Sequence, residues 1–132
     1  MKKFTLSRKE RIKSKKLFDA IYACNKVVTS KDQKVKAVFL IENHTNDIPV
    51  KVTEAVSKKS GNAVWRNRVK RLLRESYRLN KFLLVDLCIE KKVSLAVVFS
   101  PCYLNQKKNP KLSLADVLPG MLDVIKKIQS NI

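Results

Sequence analysis

Apolar residues at helical spacing in three stretches, short β-branched runs between them and a length near the modal domain size together predict an α/β (α+β) two-layer sandwich, with element order α-β-β-β-α-β-α. The chain has 132 residues, 45% of them apolar, enough for one core. It contains no internal repeat, low-complexity tract or Gly/Ser linker. Residues 1–132 are therefore expected to form a single domain, with 1–13 as a basic amino-terminal arm that could be flexible.

The first helix is expected from about residue 15 to 25, because Ser14 is a suitable cap and KKLFDAIYAC has helical rather than alternating spacing. Val27 to Ser30 reads as a short strand and Val35 to Ile41 as a β-branched, aromatic one. After a polar loop through Asn43, Asn46 and Asp47, Pro49 to Val56 reads as another, and these look like antiparallel strands joined by a short loop. Ser60, Gly61 and Asn62 supply a turn and a cap for a second helix over AVWRNRVKRLLRESYRLN, residues 63–80. Residues 82–92 either extend it or form a packed connection. Ser94 to Phe99 is a buried strand, apolar after its first residue and ended by Pro101. From Leu112 to Ile128 the period is helical, and Ser113 with Asp116 resembles a capping box. Pro119 means that this helix either starts near Leu118 or kinks.

The formal charge is +18, and a polyanionic partner would relieve the resulting self-repulsion. By segment the surplus is +9 over residues 1–36, −2 over 37–50, +8 over 51–81 and +3 over 82–132, so two basic blocks flank a nearly neutral stretch. Several classes of chemistry find no support. Two glycines make neither a dinucleotide turn nor a Walker loop, and three widely spaced cysteines with one histidine support neither zinc nor a disulfide framework. That histidine, His44, sits in a polar run and is expected to be a loop residue. With no membrane-length apolar stretch and no signal-peptide pattern at the amino terminus, a cytoplasmic protein without membrane contact is expected.

The second helix carries the sharpest signal. On a wheel of about 100° per residue, Trp65, Val69, Leu72, Leu73, Ser76 and Leu79 share one arc, while Arg66, Asn67, Lys70, Arg71, Arg74 and Arg78 lie nearly opposite, with Arg68 on the flank. Between Ser57 and Lys81 there are nine cations and one anion, Glu75, so the face forgoes the acid–base pairs that usually support an exposed helix. Five of the cations are arginines, whose planar forks grip phosphate. The expected function is nucleic-acid binding, with RNA favoured weakly over DNA.

These residues carry a family resemblance. VSKKSGNAVWRNRVKRLLRE, Val56 to Glu75, resembles the signature of the bacterial ribonuclease P protein subunit, with its KK pair, GNA turn and RNRxKRxxRE run. Arg8 and Arg11, then Phe18, Ile21 and Tyr22, an apolar strand at 95–99 and a final helix follow the family more loosely. The resemblance implies a subunit that binds a large catalytic RNA and helps it cleave the 5′ leader from precursor transfer RNA. The RNA performs the chemistry, and the chain itself has no catalytic residue and binds no cofactor alone. Mg²⁺ in the holoenzyme is held mainly by RNA. It further implies contacts to the catalytic RNA by Lys58, Lys59, Asn62, Arg66, Asn67, Arg68, Lys70, Arg71 and Arg74, and a mixed sheet with an unusual left-handed β-α-β crossover. No DNA partner is implied.

The family also has a cleft between the first helix and the sheet for the single-stranded leader, and the residues implied there are Arg11, Phe18 and Tyr22. The helix itself offers two stripes, Leu17, Ile21 and Cys24 on one side and Phe18 and Tyr22 on the other, so that one can face a core and the other a groove. The opposing wall is expected from residues 36–40, with the inward side chains left open. Thr53 and Glu54 replace a usual glycine and apolar residue, and Ser100 and Pro101 a commonly basic stretch. These departures are expected to bear on the leader side and to leave the basic helix untouched. Two other readings share some features: a structural or ribosomal RNA-binding protein, and a helix-turn-helix DNA regulator, which the flanking strands disfavour.

Overall fold

A computed structural model describes residues 6–43 and 48–132. Its elements are α1 (Lys15–Cys24), β1 (Lys26–Thr29), β2 (Val35–Glu42), β3 (Val50–Glu54), α2 (Ala63–Asn80), α3 (Phe82–Lys91), β4 (Ser94–Pro101) and α4 (Leu114–Gln129), with 3-10 turns at Arg8–Glu10 and Lys58–Ser60. His44, Asn46 and Asp47 lie outside the described residues.

The last strand decides the sheet. From Ser94 to Ser100, β4 is buried on both faces, and such a strand is best placed between two others. The order is β1-β2-β4-β3, with β1–β2 and β2–β4 antiparallel and β3–β4 parallel. β2 and β3 therefore run in opposite directions without pairing, which corrects the expectation of adjacent antiparallel strands. The link between β3 and β4 runs through α2 and α3, as a parallel pair requires.

One face of the sheet, with Val35, Ala37, Phe39, Val50, Val52, Leu95, Val97 and Phe99, packs against α2, α3 and α4. The opposite face is covered by α1, where Ile21 meets Val38, Ala96 and Val98. The α+β sandwich thus carries one helix as a partial further layer.

Residues 82–92, left open by periodicity, form a separate helix. Lys81 marks the break: its side chain is buried, with Nζ 2.9 Å from Glu10 Oε2. Glu10 belongs to the amino-terminal segment, which is held along the sheet edge where the Ile12 amide donates to the Val52 carbonyl at 2.9 Å. At the other end, Lys92 adopts a left-handed conformation (φ 58°) and closes α3 onto the Cys88 and Ile89 carbonyls.

α4 begins at Leu114, not near Leu118. The Asp116 carboxylate accepts from the Ser113 amide and hydroxyl at 2.8 and 2.9 Å, which fixes the first turn upstream of Pro119. Gly120 then lets α4 approach the β1–β2 turn, since a Cβ there would meet Val35 Cγ2 at 3.0 Å.

Candidate nucleic-acid interface

The basic helix is built from its amino terminus. Asn62 Oδ1 accepts from the Trp65 amide at 2.9 Å, capping α2. Gly61 is extended, so its smallness serves space rather than dihedral freedom. A Cβ there would lie 2.8 Å from both Gln106 Cβ and Trp65 Cε3. Gln106 belongs to the loop between β4 and α4, which is tied to the helix. Its amide donates to the Ser60 carbonyl and its Oε1 accepts from the Asn62 amide, both at 2.8 Å. Trp65 Nε1 donates to Asn109 O at 2.8 Å, and Arg68 Nε to Leu112 O at 3.0 Å. The SGN turn, Trp65 and Arg68 thus act together to clamp one loop to the start of α2.

Trp65, Val69, Leu73 and Ser76 are buried as the wheel predicts, but Leu79 is 40% exposed and Tyr77, near the cationic side of the wheel, is fully buried. Its ring packs 5.5 Å from that of Phe99. Burial holds its phenol far above the usual range, and the nearby Glu10 carboxylate adds to the shift. A wheel drawn from residue polarity misses this, because the sheet, not the helix, decides which arc is covered.

The cations divide into two groups. Lys58 and Lys59 are exposed on a turn where Ser57 Oγ accepts from the Lys59 amide. On α2, Asn67, Arg68 and Arg71 are exposed, Arg66 and Lys70 half-buried, and Arg66 Nε donates to the Gly61 carbonyl at 3.1 Å. Among the described residues no carboxylate lies within ion-pair distance of Arg66, Arg68, Lys70 or Arg71. Farther along, the cations meet acids. Arg74 Nη2 is 3.2 Å from Glu54 Oε1, Arg11 Nη2 is 3.7 Å from the same oxygen, and the Glu54 side chain is 2% exposed. Arg78 Nη2 lies 2.6 Å from Glu75 Oε1, and that hydrogen bond draws the Glu75 carboxyl below its ordinary range.

Glu54 corrects an expectation. It lies opposite Phe99 in the sheet, on the α2 side, and engages Arg74 of the basic run directly, rather than bearing only on the leader side. The sequence shows an acid in a strand. That two arginines distant in the chain share it is a tertiary fact.

Of the three residues implied for the leader, two come together. The Phe18 and Tyr22 rings stand 4.9 Å apart on α1, with Tyr22 41% exposed and Phe18 against the Ile21 cluster. Arg11 instead joins Arg74 at Glu54. Cys24 is exposed, so the inner stripe of α1 reduces to Leu17 and Ile21. Of residues 36–40, whose inward side chains the sequence leaves open, Lys36, Val38 and Leu40 lie on the α1 side of the sheet, in register with Ser100, Val98 and Ala96. On β1, Val27 pairs with Val38 and remains 49% exposed, extending this apolar floor beyond α1.

The Ribonuclease P family model matches residues 6–112. The ribonuclease P protein component of Syntrophus aciditrophicus (strain SB) is 41% identical over 81 residues, 61% of this chain and 64% of that protein, so the matched stretch spans slightly under two thirds of that relative. The component from Porphyromonas gingivalis (strain ATCC 33277) is 32% identical over 96 residues, 73% of this chain and 69% of that protein. Among solved structures, the RNase P protein from Staphylococcus aureus superposes with a TM-score of 0.66 at 22% identity, covering 95% of this chain and 93% of that one. The RNase P protein from Thermotoga maritima gives 0.64 at 19%, covering 89% and 96%. At those identities the likeness is one of fold. The family match runs from the docked amino-terminal segment through α1, the sheet and the basic helix to the loop clamped on Trp65 and Arg68, and on that ground the chain belongs to the Ribonuclease P family.

Proposed function

We propose that this chain is the protein subunit of ribonuclease P, which binds the catalytic RNA through α2 and the 5′ leader of precursor transfer RNA beside α1, and so assists removal of the leader. The observation that carries the reading is the amino-terminal half of α2, a rigid helix whose arginines and Lys70 have no acid partner among the described residues. Lys58, Lys59, Arg66, Asn67, Arg68, Lys70 and Arg71 contact the RNA backbone. Asn62 serves them by capping the helix, and Arg74 contributes less because Glu54 holds it.

Phosphate contacts of this kind release counterions, so affinity falls steeply with salt. Phe18 and Tyr22 stack on unpaired leader bases, a sequence-tolerant contact worth about 1–3 kcal/mol per base. The cleavage chemistry stays with the RNA, which also holds the Mg²⁺ that activates water. Cations that neutralise phosphate share the screening work of metal ions, so the protein's contribution is greatest at low magnesium. The proposed place of this work is the cytoplasm, and among the described residues no helix is long and apolar enough to cross a membrane.

The test is reconstitution of the full chain with a bacterial ribonuclease P RNA at low magnesium, following leader removal. Stimulation is expected. Binding without stimulation would favour a structural RNA-binding protein instead.

A further inference from the structure

The +3 of residues 82–132 looks diffuse along the chain, but the fold gathers three of its lysines beside the basic helix. The loop 102–112 exposes Lys107, Lys108 and Lys111, none with a carboxylate within ion-pair distance among the described residues. The loop is held rigidly at both levels. Inside it, the Lys108 amide donates to Asn105 Oδ1 at 2.8 Å and the Asn109 amide to Asn105 O at 2.7 Å. Outside it, the bonds from Gln106, Asn109 and Leu112 fix it to Ser60, Asn62, Trp65 and Arg68. Lys108 and Lys111 also line a cavity of about 270 Å³ with Lys34, where the Asp116 carboxylate is already engaged by Ser113. Where this loop leaves the sheet, Tyr103 is 78% exposed at φ 55°. A large side chain in the left-handed region is uncommon, and here it presents a ring to solvent.

We propose that the loop between β4 and α4 is a second RNA-binding surface, which continues the amino-terminal half of α2 and grips the backbone of the same catalytic RNA with Lys107, Lys108 and Lys111 while Tyr103 stacks on an unpaired base. This rests on the reading of the chain as a ribonuclease P subunit. The physical reason is preorganisation of the backbone: with the loop already tied to Ser60, Asn62, Trp65 and Arg68, only the lysine side chains, and not the loop that carries them, have to be ordered on meeting a phosphate chain that α2 has docked. The loop is bonded to Ser60, Asn62, Trp65 and Arg68 at the start of α2, so the partner proposed for it is the catalytic RNA that α2 binds and not the leader.

The test compares K107Q/K108Q/K111Q with the charge-matched control K91Q/K92Q/K126Q, drawn from exposed lysines on and beside α3 and on α4. Affinity of the full chain for ribonuclease P RNA is measured across salt, with circular dichroism confirming the fold. The loop variant is expected to lose about one to two units of salt slope, at about 0.7–0.9 per phosphate contact. The control is expected to lose less than half of that. Y103A is expected to weaken binding about fivefold or more at unchanged slope. Equal slopes for the loop variant and wild type overturn the proposal whatever Y103A does, as does a loss confined to leader-bearing precursor. Failure of the wild-type chain to bind the RNA would instead refute the subunit reading, and this proposal with it.

Discussion

The two halves of α2 look alike in sequence and differ in the folded chain. From Arg66 to Arg71 the cations are exposed or half-buried with no acid in reach among the described residues, whereas Arg74 and Arg78 each meet a carboxylate. The difference teaches that the charge a helix carries is not the charge it offers a partner. The first half is poised for phosphate, and the second is partly spent on holding the molecule together. Glu54 makes the contrast sharp, because a carboxylate 2% exposed depends on the cations beside it, whereas those arginines keep over a third of their side chains in solvent.

The largest effect should come from breaking that arrangement. Arg74→Ala leaves Glu54 buried with Arg11, 3.7 Å away, as its one cationic partner among the described residues, and is expected to cost about 2–3 kcal/mol in urea unfolding. That is below the roughly 3–5 kcal/mol of a fully broken buried pair, since Arg11 remains and Arg74 is itself over a third exposed. Adding Glu54→Gln should recover most of the loss. Arg71→Ala, on the open half, should stay within about 0.5 kcal/mol. Equal destabilisation by the two arginine variants would erase the contrast.

A smaller effect concerns α1. Phe18→Ala should weaken binding of leader-bearing precursor by about 1–2 kcal/mol, toward the lower end of base stacking because part of the ring already packs on the Ile21 cluster. Mature transfer RNA should be bound nearly as before. Equal losses for both would make Phe18 a core residue only.

How far these features could be read in advance depends on how local they are. The bounds of α2, its Asn62 cap and the Ser113–Asp116 box follow from short-range chemistry and emerge directly from the chain. The break at Lys81 does not: its backbone stays in the right-handed helical region, and the acid that holds its buried ammonium, Glu10, lies 71 residues away. The same holds for β4 sliding between β2 and β3, although its unbroken apolar run was the available signal for a central strand. At the interface, the cations were visible by type and spacing. Arg11, grouped with the aromatics by resemblance, was separated from them by one buried acid that sequence could place in a strand but not under a helix. Gln106 and Asn109 carried no signal at all, since a polar loop reveals its docking partner only when folded.

The smallest effect is a titration. The hydrogen bond from Arg78 holds the Glu75 carboxyl below its ordinary value, so the pair adds stability above that ordinary value and loses it as pH falls through the depressed one. Carboxyl NMR should show Glu75 titrating below the ordinary glutamate value, and Arg78→Ala should return it upward. No movement would mean the pair is not formed in solution.

The most direct measurement sets the two halves against each other on RNA. Binding of R66A/R71A and of R74A/R78A to ribonuclease P RNA is followed from low to high salt. The open-half variant is predicted to lose about 1.5 units of slope, near 0.7–0.9 per contact, and the acid-paired variant less than half as much. Equal losses, or a larger loss from R74A/R78A, would contradict the account.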